Sequence, residues 1–161
     1  MKPNCSFASP LSPQQMTVWS LTSAGISISA IADKLKTSRQ YVNQTRLAAE
    51  AKISKALMDV AQVNELQVTK LNAKDAILLG YHPTLKLKAV VTYTTNHGMK
   101  VWYWHDKPEE ETLNGEFLRQ TREYLLQVAK ERGIEVADAE KMHPAKLAQA
   151  IFSELIPELK P

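Results

Sequence analysis

Apolar positions recur at helical spacing through the first part of the chain, and capping residues mark where each run begins. Ser12-Pro13 sets an N-cap serine before a proline at the first helical position. Met16, Trp19 and Leu21 then mark the side that turns inward. Gly25 stands where a helix C-terminal glycine takes a positive φ. Ser27 can cap a short second helix carrying Ile28, Ile31, Ala32 and Leu35. Lys36-Thr37-Ser38 reads as a tight turn, with Ser38 or Thr37 as the next cap. From Arg39 the pattern stays helical, without Pro or Gly, to about Leu71. A helix of roughly 30 residues is about 45 Å long. A small domain does not bury all of that, so its distal part is expected to pack on a partner.

Past Leu71 the texture changes. Asp75 to Leu79 reads as one helical turn ending at Gly80 and followed by Tyr81-His82-Pro83. The β-branched and aromatic runs Leu85 to Thr95 and Met99 to His105 flank Asn96-His97-Gly98, which predicts a β-hairpin. Asp106-Lys107-Pro108 stops the second strand, and Pro108 to Gly115 reads as an acidic linker. Glu116 to Arg132 is a predicted helix with Phe117, Thr121, Leu125 and Val128 down one side, ended by Gly133. A last helix is expected from about Pro144 to Ile156, with Leu147, Ile151 and Leu155 one turn apart. The expected class is therefore mainly α with a β-hairpin (α+β). Three units follow: residues 1–60 around the N-terminal helices, 61–107 as helical connector and hairpin, and 108–161 as an acidic helical region.

Composition narrows the setting. The chain has 161 residues and is 44% apolar, enough for a core that needs no disulfide framework. Its one cysteine, Cys5, cannot form an internal bridge, which fits a reducing interior. No run reaches a membrane span, and the N-terminus lacks a signal peptide's apolar core, so a cytoplasmic protein off the membrane is expected. The net charge of +3 is mild, but its distribution is uneven. Residues 1–105 hold 12 Lys and Arg against 5 Asp and Glu, whereas residues 106–161 hold 8 against 12. That points to a phosphate-facing part and an acidic part facing elsewhere, chance segregation of solvated charge being the bland alternative.

The segment Leu11 to Leu57 carries the clearest chemistry. Two helices that cross steeply need an apolar anchor and a small residue at their contact, and Ile31-Ala32 supplies both. Leu35 would cover the turn and Val42 would face back into the pair. Between these anchors the following helix is polar: Arg39, Gln40, Asn43, Gln44 and Arg46. Arg can meet guanine O6 and N7 together, and Asn or Gln can do the same for adenine N6 and N7. Lys34, Lys36, Lys52 and Lys55, with the hydroxyls of Thr37 and Ser38, are placed to meet phosphates. This reads as a helix-turn-helix for double-stranded DNA, since the deep groove of duplex RNA does not admit such a helix. The competing readings are an ordinary three-helix domain with a solvated face, and a helix-turn-helix that binds protein.

Leu11-Ser-Pro-Gln-Gln, Gly25-Ile-Ser, Ile31-Ala-Asp-Lys-Leu and Thr37-Ser-Arg-Gln-Tyr-Val42 resemble the LuxR-type output domain and sigma factor region 4. The archaeal Tfx-like regulators share the layout. The resemblance covers residues 11–57 and departs at Gln15, where those families often carry Glu, and at Tyr41, where LuxR-type proteins favour Thr. It implies DNA contacts at Arg39, Gln40, Asn43, Gln44 and Arg46.

Ile53, Leu57, Val60, Asn64 and Leu71 fall close to a 3–4–3–4 spacing, with Gln67 in the gap. Such a seam, with Asn at a core position, predicts a coiled-coil homodimer that sets two motifs on successive half-sites. The alternative is that it packs on this chain's own hairpin or C-terminal helices.

In the second strand of the hairpin, Met99, Val101 and Tyr103 point one way and Lys100, Trp102 and Trp104 the other, with Tyr93 on the facing strand. The tryptophans fit a ligand pocket, a stacking surface, a protein interface, or core beneath the helices at 116–132 and 144–156. An isolated hairpin is marginal in water, so it needs those helices or a second subunit's hairpin beside it. Lys86, Lys88 and Lys100 fit either DNA flanks or a solvated face.

His82, His97, His105 and His143 do not fall at metal-ligand spacings, although His105-Asp106 is a possible pair, so no metal and no cofactor is expected. The run Glu109-Glu110-Glu111 reads as solvated linker, and no nucleophile or phosphate-loop motif appears, so no catalysis is expected. The expected function is a dimeric, sequence-specific transcriptional regulator. The alternatives are an adaptor holding a protein at its acidic C-terminal region, and a ligand-sensing regulator with an aromatic pocket.

Overall fold

The computed structural model describes residues 9–104 and 115–161. Cys5, His105-Asp106, the stop at Asp106-Lys107-Pro108 and the acidic linker with Glu109, Glu110 and Glu111 therefore lie outside the described residues. Helices α1 (Pro13–Ser23), α2 (Ile28–Leu35) and α3 (Arg39–Val63) come first. Strands β1 (Gln67–Asn72), β2 (Ile77–His82), β3 (Leu87–Thr94) and β4 (Gly98–Tyr103) follow. Helices α4 (Gly115–Glu131) and α5 (Pro144–Leu155) close the chain, with short 3-10 turns at Ala139–Lys141 and Pro157–Leu159. The class is α+β.

The predicted caps set the helix starts. The Ser12 side chain accepts the Gln15 N–H while Gln15 reaches back to the Ser12 N–H, a reciprocal capping box. Ser27 caps α2 and Ser38 caps α3 by the forward bond alone, accepting from the N–H groups of Ala30 and Tyr41. Gly25 takes φ 90°, which lets the chain reverse between α1 and α2.

The long helix is shorter than its pattern predicts. It ends at Val63, not near Leu71, because Asn64 caps it by donating to the Val60 carbonyl at 2.8 Å and Glu65 turns into the left-handed region at φ 57°. The next residues form β1, whose partner is β2 in the register Gln67↔Tyr81 to Asn72↔Ile77. The expected helical turn at Asp75–Leu79 is likewise overturned. Asn72 accepts the Asp75 N–H to make a tight turn, and Ile77 onward is β2. The predicted hairpin is present as β3–β4, within an antiparallel four-stranded sheet of order β1-β2-β3-β4.

Alternation along the strands divides the sheet into two apolar faces. Leu78, Ala89, Val91 and Tyr93 pack with Trp19 of α1 and Ile53, Leu57 and Ala61 of α3. Ile77, Leu79, Val90 and Trp104 pack with Leu125 and Val128 of α4 and Leu147, Ile151 and Phe152 of α5. The sheet is thus the middle of three layers. The expected coiled-coil seam is corrected here: Ile53 and Leu57 are fully buried in this chain's own core, Val60 packs beside them, Asn64 is a cap, and Leu71 is on β1. An amphipathic stripe records that something apolar lies opposite, and here it is the sheet. The boundary placed at residue 60 falls inside α3, and the N-terminal helices and the sheet share one core.

On α4 the inward side is Tyr124, Leu125, Val128 and Ala129, while Phe117 is 54% exposed, contrary to its expected place on that side. The Tyr124 hydroxyl hydrogen-bonds with that of Thr92, and burial pushes its pKa up to about 12, so it stays neutral between the layers. Where α3 turns into β1, a Cβ on Gly80 would lie 3.0 Å from the Leu66 Cβ and 3.3 Å from the Gln67 carbonyl oxygen. Gly80→Ala is therefore expected to cost about 1–3 kcal/mol by overpacking, read as a lowered urea midpoint with unchanged slope. An unchanged midpoint would refute the tight approach.

Candidate nucleic-acid interface

The segment α2–turn–α3 is held from behind by a small apolar cluster. Val18 of α1, Ile31 and Ala32 of α2, and Val42 of α3 are buried together, with Leu21 and Ile28 at its margin. The turn is closed by backbone bonds, with the Thr37 N–H donating to the Ala32 carbonyl at 3.0 Å. Lys36 takes the left-handed conformation at φ 54° to make that geometry. Leu35, expected to cover the turn, is 37% exposed.

With Val42 inward, helical geometry turns Gln40 and Gln44 outward, and both are exposed. Arg39 is exposed at the first helical position after the Ser38 cap. Lys34 and Lys36 are exposed at the end of α2, beside the half-buried Thr37 and the exposed Ser38. Cations, hydroxyls and the unpaired N–H groups of a helix start thus lie at one end of a polar helical face.

The remaining candidates are placed differently. Arg46 donates through Nη1 to both Glu50 carboxylate oxygens at 3.1 Å and through Nη2 to the Asn43 side-chain oxygen at 2.9 Å. Its Nε is buried without a partner. It lines a 330 Å³ cleft with Glu50, Lys74 and the loop from Gly25 to Ile28. Arg46 and Asn43 are thus engaged with each other and with Glu50, apart from the outward row of Gln40 and Gln44. Lys52 Nζ donates to Gln15 at 2.9 Å, tying α3 to the capping box of α1. Lys55 is paired with Asp59 at 2.9 Å.

Two exposed side chains on this helix escape a search for polar readers. Leu47 is 51% exposed and Tyr41 45%. Leu47 continues the row of Gln40 and Gln44 by spacings of four and three, a signal already present in the sequence. Tyr41 and Gln44 line a shallow groove of 290 Å³ between the start of α1 and α3, with Gln14, Gln15 and Thr45.

Elsewhere, Trp104 is buried and Trp102 packs on Phe152 with ring centroids 6.4 Å apart, so the aromatic side of the hairpin belongs to the core beneath α5. Trp104 also borders a 310 Å³ cleft with Lys88, Ser153 and Lys160. Acidic Glu116 and Glu123 on α4 are paired with Arg119. Among the described residues no three His, Cys, Asp or Glu side chains come together as metal ligands, and no helix is long and apolar enough to cross a membrane.

No known protein family, curated protein or solved structure matches this chain.

Proposed function

We propose that this protein binds duplex DNA sequence-specifically and acts as a transcriptional regulator, as a homodimer. The observation that carries the reading is the exposed polar row of Arg39, Gln40 and Gln44 on a helix start whose opposite side is fixed by Val42, Ile31 and Ala32. Arg39 is suited to a guanine edge, Gln40 and Gln44 to adenine, and Leu47 to a thymine methyl group. Lys34, Lys36, Thr37 and Ser38 hold phosphates and set the register of the helix in the major groove. Val42, packed on Val18, Ile31 and Ala32, keeps the reading helix in place, while Arg46 is bound within the helix by Glu50 and Asn43. The resemblance of residues 11–57 to LuxR-type output domains points the same way.

Selection from a random duplex library with the purified protein, at about 150 mM salt so that non-specific binding is suppressed, tests it. The expected result is an enriched site with two-fold symmetry. A folded protein that enriches no sequence overturns the reading.

A further inference from the structure

The two edges of the sheet are unlike each other. β1 shifts register between Val68 and Lys70, turns the Thr69 hydroxyl onto the Leu79 carbonyl at 3.0 Å, and ties Lys70 to Glu158 at 2.8 Å. These are the devices that keep an edge strand from pairing. β4 has no bulge, no proline and a single charge, Lys100, over its six residues. Among the described residues, no strand lies on its outer side.

The phase of the β3–β4 ladder decides which backbone groups are free. The Trp104 N–H donates to the Lys88 carbonyl at 2.8 Å, and the pairs Val90↔Trp102 and Thr92↔Lys100 continue that phase. Met99, Val101 and Tyr103 therefore direct their N–H and carbonyl groups away from β3.

We propose that β4 pairs antiparallel with β4 of a second copy about Val101, joining the two sheets into one of eight strands. The strand is self-complementary in this register. Val101 meets its own counterpart, Met99 meets the other copy's Tyr103 as a sulfur–aromatic pair, and Lys100 meets the other copy's Trp102 as a cation–π pair. The outward groups of Met99, Val101 and Tyr103 then close hydrogen bonds in phase. The two-fold axis of such a pair is perpendicular to the sheet, so both α3 helices lie on the same side of it. This inference rests on the dimeric part of the proposed function and stands independently of DNA binding.

Sedimentation velocity of the full chain across the micromolar range is the first measurement, with a dimer expected. Val101→Pro removes an N–H that makes no bond to β3, and is expected to raise the dimer dissociation constant about 100-fold or more with circular dichroism unchanged. Should that variant unfold, single cysteines in a Cys5→Ser background decide the matter. Val101→Cys is expected to form an intermolecular disulfide readily, because only position 101 faces its own copy. Lys100→Cys and Thr69→Cys are expected to lag. A monomeric protein overturns both the pairing and the dimer. A dimer that cross-links no faster at 101 than at 69, or that is unaffected by a folded Val101→Pro variant, overturns the pairing alone. In each case the library selection still reports separately on DNA.

Discussion

Replacing Arg132 with alanine is expected to remove about 3–5 kcal/mol of folding stability, out of the 5–15 kcal/mol typical of a domain. The side chain leaves the end of α4 and is fully buried. Its Nε donates to the Asp75 carbonyl at 2.7 Å, Nη1 to the Val128 carbonyl at 3.2 Å, and Nη2 to the carbonyls of Tyr93 at 2.6 Å and Ala76 at 3.4 Å. The guanidinium also lies 5.6 Å from the Trp19 ring, whose indole N–H donates to the Lys74 carbonyl at 3.1 Å. One cation thus joins α1, the β1–β2 turn, β3 and α4. Burial pushes its pKa down, and Glu131, with a carboxylate oxygen 3.9 Å away, opposes that shift. Deleting it takes the guanidinium donor from the buried Tyr93 carbonyl and from that of Asp75, while Ala76 keeps the Tyr93 N–H, and the cost arises at the carbonyls that lose their donor. Arg132→Lys is expected to recover only a minor part, because an ammonium cannot span acceptors fixed around a planar fork. Urea unfolding followed by circular dichroism and tryptophan fluorescence measures the loss. A change below about 1 kcal/mol in Arg132→Ala would show that the joint is not limiting.

The second large effect is expected in DNA affinity. Arg39→Ala together with Gln44→Ala is expected to weaken binding to the selected site by about 30-fold up to about 25,000-fold, at roughly 1–3 kcal/mol per base-reading side chain. Binding to unrelated duplex is expected to change far less. Lys34→Gln and Lys36→Gln should behave in the opposite way, weakening all sequences alike and flattening the salt dependence by about one unit each. Arg46→Ala separates this reading from one in which every polar residue of α3 touches DNA. Because its guanidinium is held by Glu50 and Asn43, its removal is expected to lower stability while leaving the ranking of sites unchanged. Equal affinity of the Arg39/Gln44 double variant for selected and unrelated duplex would be expected only if the exposed row reads bases. Unchanged affinity for the selected site would remove α3 from the interface.

Local signals in the chain were sufficient for much of the architecture. Ser12, Ser27 and Ser38 placed the helix starts because a cap depends on residues within one turn. Asn96-His97-Gly98 between β-branched runs placed the β3–β4 hairpin for the same reason. The apolar anchors Ile31, Ala32 and Val42 also implied which residues of early α3 turn outward, Gln40 and Gln44 among them. The tertiary structure decided what depends on distant partners. The residues of β1 and the start of β2 carry a helical pattern in the sequence, because each becomes a strand only through pairing with its neighbour and a short mixed run has no period of its own. Ile53 and Leu57 carried the spacing of a seam, and only the position of the sheet showed what they face. Arg132 looked like any helix-terminal cation, since the carbonyls it serves lie nearly 40 or more residues away at Tyr93, Ala76 and Asp75. Capping and turn chemistry act over a few residues and so can be read directly. Burial and strand pairing are settled between segments far apart in the chain, and those the fold alone decides.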